Sequence, residues 1–231
     1  MPGDSNATAN PEFRAAGSMT SAMLLAFTGG AIDAFVYLNH GHVFAAAQTG
    51  NGVLFGVAIL NHDTAQAVRR LVPIVAFILG ALSAKALARL LKRHAARVGL
   101  LCEITILFAA SWLPGSFPDM AFIALIAAVT AYQVTSFRTA DVYSYNSTFM
   151  TGNLREAVEG LYDTFHPATR DAGLHKFRAF ALLVPSFMAG ALAGALLSPR
   201  FFNHTLWFID IPLVAVLLHV HLQSKKHEGK A

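Results

Sequence analysis

Two short polar clusters interrupt an otherwise apolar chain, and both carry the same three residues. Gln48-Thr49-Gly50-Asn51 comes first, and Met150-Thr151-Gly152-Asn153 repeats the Thr-Gly-Asn core further along. Thr and Asn favour helix starts, because a side-chain oxygen can take a free backbone N–H, and Gly permits a sharp turn. Within a bilayer such a triplet breaks an apolar run and leaves N–H groups carrying partial positive charge, which hold an anion or a polar solute. One copy alone reads as a helix cap. Two copies, each after a hydrophobic stretch and each leading into a helical pattern, predict a shared pathway.

Asp33 is the sharpest single residue. It lies about four residues, roughly 6 Å, past the middle of the first apolar stretch. A carboxylate there is costly unless it is paired, hydrated or protonated, so it marks function unless it serves as a structural hydrogen bond to a neighbouring helix. Gln133 takes the corresponding place in the second half, where a neutral amide is cheaper to bury. Arg138 either pairs with Asp33 or binds an anion, although a basic residue at an inner span end ordinarily snorkels. The expected solute-binding set is therefore Asp33, Gln48, Thr49, Asn51, Gln133, Arg138, Thr151 and Asn153.

Other polar residues read as structural. Glu103 and Asp210 are expected near the starts of their helices, where the dipole favours negative charge. His40, His42 and His62 fall on outer loops with no metal-ligand spacing, and His219 and His221 are too close in sequence to share a helix face. Tyr37, Tyr143 and Tyr145 lie near span ends, as belt tyrosines do. No Ser/His/Asp order, metal-ligand pair or phosphate loop appears, so no enzyme activity, cofactor or metal is expected. Cys102, the single cysteine, excludes an internal disulfide and a cysteine metal cluster.

The elements that must position these residues are helices in a bilayer. Of 231 residues 55% are hydrophobic and 13% charged, mean hydropathy is +0.51, and apolar runs of spanning length recur. The fold class is all-α, polytopic and membrane-embedded. Residues 1–19 read as a disordered tail, 20–222 as one transmembrane domain and 223–231 as a second tail. Asp33 interrupts the apolar stretch before Ala45-Ala46-Ala47, which is also too long for a signal peptide. Six spans are expected, at about 20–39, 71–90, 98–113, 119–138, 177–197 and 205–222, with 61–70 a polar loop. The amphipathic segment after Met150 is expected to lie in the membrane interface.

Charge sets the orientation. With the basic 89–97 loop inside, thirteen Lys and Arg lie on the inner side and only Arg69, Arg70 and Arg200 on the outer side. Both termini are then cytoplasmic. A seven-span arrangement with 44–60 crossing moves only Arg14 outward and stays open. Phe77-Ile78-Leu79-Gly80-Ala81-Leu82 matches Phe187-Met188-Ala189-Gly190-Ala191-Leu192. This gives two three-span repeats, about 20–113 and 119–222. An odd number of spans per repeat turns the second copy upside down, the layout of many secondary transporters.

Gly30-Ala31-Ile32-Asp33-Ala34 followed by Gln48-Thr49-Gly50-Asn51 resembles the first half of the YoaK-type bacterial membrane proteins, a family of unknown function. Gln133, Arg138 and Met150-Thr151-Gly152-Asn153 resemble its second half. The resemblance covers roughly residues 20–222 and implies a six-span inner-membrane protein without naming a substrate. One departure is visible: the family usually has Asn where this chain has Val134.

The expected function is transport of a small solute, with the two Thr-Gly-Asn breaks and Asp33 lining the route. The alternatives are a structural or regulatory membrane protein with no transported solute, and a passive channel whose half-helix dipoles select the solute. The expected partners are the lipid bilayer and an unidentified small solute, with room for a homo-oligomer. Scattered loop charges give no case for nucleic acid.

Overall fold

Helix ends follow local chemistry where the chain leaves the apolar runs. Ser18 accepts the Ser21 N–H at 3.3 Å and opens α2 (Met19–Asn39), which follows a short α1 (Pro11–Ala16). After α3 (Gln48–Leu60), Asp63 accepts the Gln66 N–H at 3.0 Å and opens α4 (Thr64–Leu91). A 3₁₀ turn, Lys92–His94, leads into α5 (Ala95–Ala110), and α6 (Asp119–Ser136) starts directly after Pro118. A small hairpin pairs β1 (Thr139–Ala140) antiparallel with β2 (Tyr143–Ser144). Then come α7 (Met150–Asp163), α8 (Arg170–Phe201), a 3₁₀ turn Phe202–His204, and α9 (Thr205–Glu228). This computed structural model describes residues 11–228.

Four stretches are long and apolar enough to cross a bilayer: Met19–Asn39, Thr64–Leu91, Asp119–Ser136 and Arg170–Gln223. The last contains α8 and most of α9, divided by the Phe202–His204 turn. With its 16 residues α5 is about 24 Å long, short of the hydrocarbon thickness. Helix α3, 13 residues long, is shorter still. The protein is a multi-pass helical membrane protein.

Two helix pairs form the frame, α2 along α8 and α4 along α6. Glycine makes both contacts close. A Cβ at Gly80 would collide with the Ala128 carbonyl on α6, and one at Gly190 with the Phe27 carbonyl on α2. Gly30 and Gly194 extend the second seam against the backbone of Phe187 and Ala31. The main apolar core lies between α2, α5, α6 and α9, around Phe35, Leu100, Phe122, Ile126, Leu206 and Leu213.

The two turns after α4 and α8 share one backbone geometry. Lys92 has φ 45° and ψ −108°, and Phe202 has φ 45° and ψ −126°. Both are non-glycine residues with positive φ, a conformation tolerated only where the surroundings impose it.

Several expectations need correction. Residues 11–16 are helical, not part of a disordered tail. Glu12 is buried and pairs with Arg97 at 2.8 Å and with His94 at 3.5 Å, which ties α1 to the start of α5. Residues 1–10 and 229–231 lie outside the described residues. The 61–70 segment is mostly the first turns of α4, because Asp63 caps a helix whose polar beginning masks its continuity. Glu103 stands mid-helix in α5, and Asp210 is past the first turn of α9. Both are buried, and neither carboxylate has a hydrogen-bond partner among the described residues, so neither is a cap. His40 is a buried tie: Nδ1 lies 3.0 Å from Asp119 Oδ1, Nε2 lies 3.0 Å from Asn203 Oδ1, and the ring stacks on Phe122. Tyr145 is buried as well, which removes it from any interfacial belt.

Helix α7 is amphipathic, as its pattern predicts. Its small residues Ala157 and Gly160 are buried on α8, while Leu154, Val158, Leu161 and Tyr162 are exposed. Lys176 of α8 bridges to Glu156 at 2.7 Å and to Glu159 at 3.0 Å, which fixes the helix to its neighbour. That bond holds the Glu156 carboxyl below the usual carboxylate range.

Candidate functional site

The chain between α2 and α3 folds back against Asp33. The Ala46 N–H donates to Asp33 Oδ1 at 2.8 Å, whereas Oδ2, in a residue that is 4% exposed, has no hydrogen-bond partner among the described residues. Gln48 donates to the Ala45 carbonyl at 2.8 Å and accepts from Asn51 at 2.8 Å. Asn51 also accepts the Phe44 N–H at 2.9 Å and donates to the Phe44 carbonyl at 2.7 Å. The first Thr-Gly-Asn element therefore locks the loop that meets Asp33.

The second element repeats this chemistry. Asn153 accepts the Asn146 N–H at 3.4 Å and donates to the Asn146 carbonyl at 2.8 Å. Gln133 stands where Asp33 stands in the first half, but it donates rather than accepts, its amide nitrogen reaching Ser147 Oγ at 3.2 Å and the Leu25 carbonyl at 3.1 Å. Neither α3 nor α7 has a side-chain cap, because the Thr-Gly-Asn residues fall inside the first helical turn rather than before it. The polar side chains expected to cap the helices instead clamp loops, or stay open.

The two elements meet at a cavity of about 630 Å³. Asp33, Gln48, Thr49 and Thr151 line it, together with Val134, Asn146 and Thr148. Aromatic rings from five positions complete the wall: Tyr37, Phe44, Phe77, Phe149 and Phe187. Asp33 is the one charged side chain among these lining residues. The remaining predicted residues stand elsewhere. Asn51, Asn153 and Gln133 are buried behind the wall, and Arg138 is exposed beyond the end of α6, so it does not meet Asp33 in the cavity.

The aromatic wall is what sequence reasoning missed. Phe77 and Phe187 begin the matched repeat segments, so their equivalence was available, but an apolar residue in an apolar run gives no sign of facing a cavity. The clamped residues Phe44 and Asn146 each stand seven positions before a Thr-Gly-Asn asparagine, a spacing that becomes meaningful only once the loop is folded back. At Val134 an apolar side chain faces the cavity where the resemblance implies Asn.

A cavity of this size holds a ligand of small-molecule dimensions. Its walls offer one carboxylate, a few hydroxyl and amide groups, and a large apolar surface. Among the described residues, no group of three or more His, Cys, Asp or Glu is arranged to hold a metal ion.

Comparison with known proteins agrees on the kind of chain. The relative "UPF0700 transmembrane protein YoaK" of Bacillus subtilis (strain 168) is 29% identical over 205 residues, covering 85% of this chain and 90% of that protein. No solved structure matches. The family model described as "Protein of unknown function (DUF1275)" matches residues 21–219. The chain belongs to this family of YoaK-type transmembrane proteins.

Proposed function

We propose that the protein is a small-solute transporter whose solute binds where the two Thr-Gly-Asn elements meet beside Asp33. The observation that carries this reading is the single cavity that Thr49, Thr151 and Asp33 line together. Two elements far apart in sequence supply polar groups to it, and a carboxylate with one oxygen unpartnered among the described residues stands within it.

On this reading the chain crosses the bilayer six times, as α2, α4, α5, α6, α8 and α9, in two inverted three-span repeats. Three correspondences support the repeat. The pair α2–α8 answers α6–α4; the Asn51 clamp answers the Asn153 clamp; the turn at Lys92 answers the turn at Phe202. Inverted repeats built this way give a site that either side of the membrane can reach in turn. The charge asymmetry supports a bacterial inner membrane with cytoplasmic termini. No covalent chemistry, cofactor or metal enters the proposed cycle.

Purified protein in a thermal-shift screen of metabolite classes, followed by uptake of each stabilising solute into proteoliposomes, tests the reading. Stabilisation and saturable flux, both reduced by Thr49→Ala, are expected. Absence of flux for every stabilising solute would favour a structural or regulatory role, and flux that no pH or ion gradient drives would favour a passive channel.

A further inference from the structure

The lining of the cavity is electrostatically one-sided. Asp33 Oδ1 is committed to the Ala46 N–H, but Oδ2 is buried without a hydrogen-bond partner among the described residues. The other titratable group on the wall is Tyr37, one turn further along α2. The walls contributed by α3, α4, α6, α7 and α8, among them Thr49, Phe77, Val134, Thr151 and Phe187, are uncharged. Nearby basic groups are engaged away from the cavity. Arg70 donates to the carbonyls of Gly41 and His42, His40 lies between Asp119 and Asn203, and Arg138 is exposed.

A carboxylate in such a place is stable when it is paired, hydrated or protonated, and among the described residues no basic side chain pairs with Asp33. The N-termini of α3 and α7 point the other way, since a helix start favours an anion. Each is worth about half an elementary charge. That of α3 is already answered by Asp33 itself through the preceding Ala46 N–H. What remains at α7 is smaller than the full negative charge of Asp33. The wall also carries five aromatic rings, of which Tyr37 and Phe44 stack on each other with centroids 5.0 Å apart; aromatic rings suit a cation and offer apolar surface for its body.

We propose that the cavity takes a monovalent organic cation, an amine or quaternary ammonium with an apolar body, and that this cation and a proton compete for Asp33. The carboxyl releases its proton to water as the cation enters and takes one up as the cation leaves, so the occupied and empty cavities both stay neutral. The binding half stands on the cavity alone. The exchange across the membrane rests on the transport reading.

The test uses the full chain in nanodiscs and one charge-matched pair of probes, benzyltrimethylammonium and benzenesulfonate. Saturable binding of radiolabelled benzyltrimethylammonium is expected, with affinity weakening about tenfold or more between about pH 8 and about pH 5. Benzenesulfonate should not compete. Asp33→Asn should lose about tenfold or more in affinity and lose the pH dependence, while Tyr37→Phe, which keeps the ring and removes the other titratable group, should keep the pH dependence whatever it does to affinity. Should Asp33→Asn fail to fold, the wild-type pH profile and the anion control still decide. Absence of saturable cation binding, binding independent of pH, or equal competition by benzenesulfonate would overturn the proposal. Proteoliposomes with an outward proton gradient separate the two readings. Saturable benzyltrimethylammonium binding without proton-driven flux upholds the cation site and sinks exchange, whereas flux of other solutes without cation binding upholds transport and sinks the cation site.

Discussion

The Asn51 side chain closes a two-bond clamp on the backbone of Phe44, accepting its N–H at 2.9 Å and donating to its carbonyl at 2.7 Å. Asn153 grips Asn146 in the same way. Each clamp satisfies backbone groups that no helix or strand pairs, through an asparagine that is itself buried. Asn51→Ala and Asn153→Ala are each expected to cost about 1–3 kcal/mol, the penalty for leaving buried polar groups unmet. Asn51→Asp should cost a comparable amount, because it can accept but not donate. Denaturation midpoints of the purified variants check this, and wild-type midpoints would show that the clamps hold nothing.

Thr49 and Thr151 separate a binding role from a structural one. Both face the cavity and neither caps its helix. Thr49→Ala and Thr151→Ala should therefore leave the melting temperature within about 0.5 kcal/mol-equivalent of wild type while each weakens solute binding. If both variants bind normally and only melt earlier, the hydroxyls serve packing alone.

The close helix seams make a sharp glycine prediction. Gly80→Ala and Gly190→Ala push a methyl into backbone carbonyls of the facing helix, and each should cost about 1–3 kcal/mol from strain. Gly52 and Gly56 have open space around the added carbon. Alanine at either should be neutral or stabilise α3 by up to about 1 kcal/mol. Equal melting behaviour of the two pairs of variants would contradict the seam.

Crossing of the bilayer by α4 is open to direct labelling. The helix has 28 residues, about 42 Å of rise, which exceeds the hydrocarbon thickness. After Cys102→Ala, single cysteines at His62 and Arg93, in the turns at its two ends, should react with an impermeant maleimide from opposite sides of intact cells. Reaction of both from the same side would exclude a crossing α4 and the six-span arrangement with it.

Acid should loosen α7. Lys176 holds the Glu156 carboxyl below its ordinary value, with Arg155 adding to the effect. The pair is thus complete above the unfolded carboxyl value of about 4.3 and is lost as pH falls through the lower folded value. Amide exchange in α7, corrected for intrinsic rates, should show protection falling between about pH 6 and about pH 3. Lys176→Gln should start less protected and change less. Identical pH profiles for wild type and variant would remove the pair from the account.

Legibility in the sequence followed contrast. Helix α2 and the start of α6 were plain because apolar runs there end at polar or proline residues, and Asp33 and both Thr-Gly-Asn clusters stood out as polar groups in apolar surroundings. Helix α1 was hidden, because Glu12 becomes buried only through Arg97, which is distant in sequence. The early start of α4 was hidden by Arg69 and Arg70, whose partners Asp119 and the 41–42 carbonyls lie on other segments. The cavity wall was silent for the opposite reason. Phe77 and Phe187 are marked only by the repeat match and Val134 only by its departure from the family's Asn, and neither mark tells which way a side chain faces.

The glycine seams also fix how the molecule can deform. Where α2 meets α8, and where α4 meets α6, backbone lies on backbone with no layer of side chains to act as a cushion. Such contacts are stiff, and a push on one helix is passed whole to its mate. Each pair behaves as a girder. Asp33 and Phe187 stand on one girder, Phe77 and Val134 on the other. The cavity lies between the two pairs, and the asparagine-clamped loops close its wall with Phe44 and Asn146.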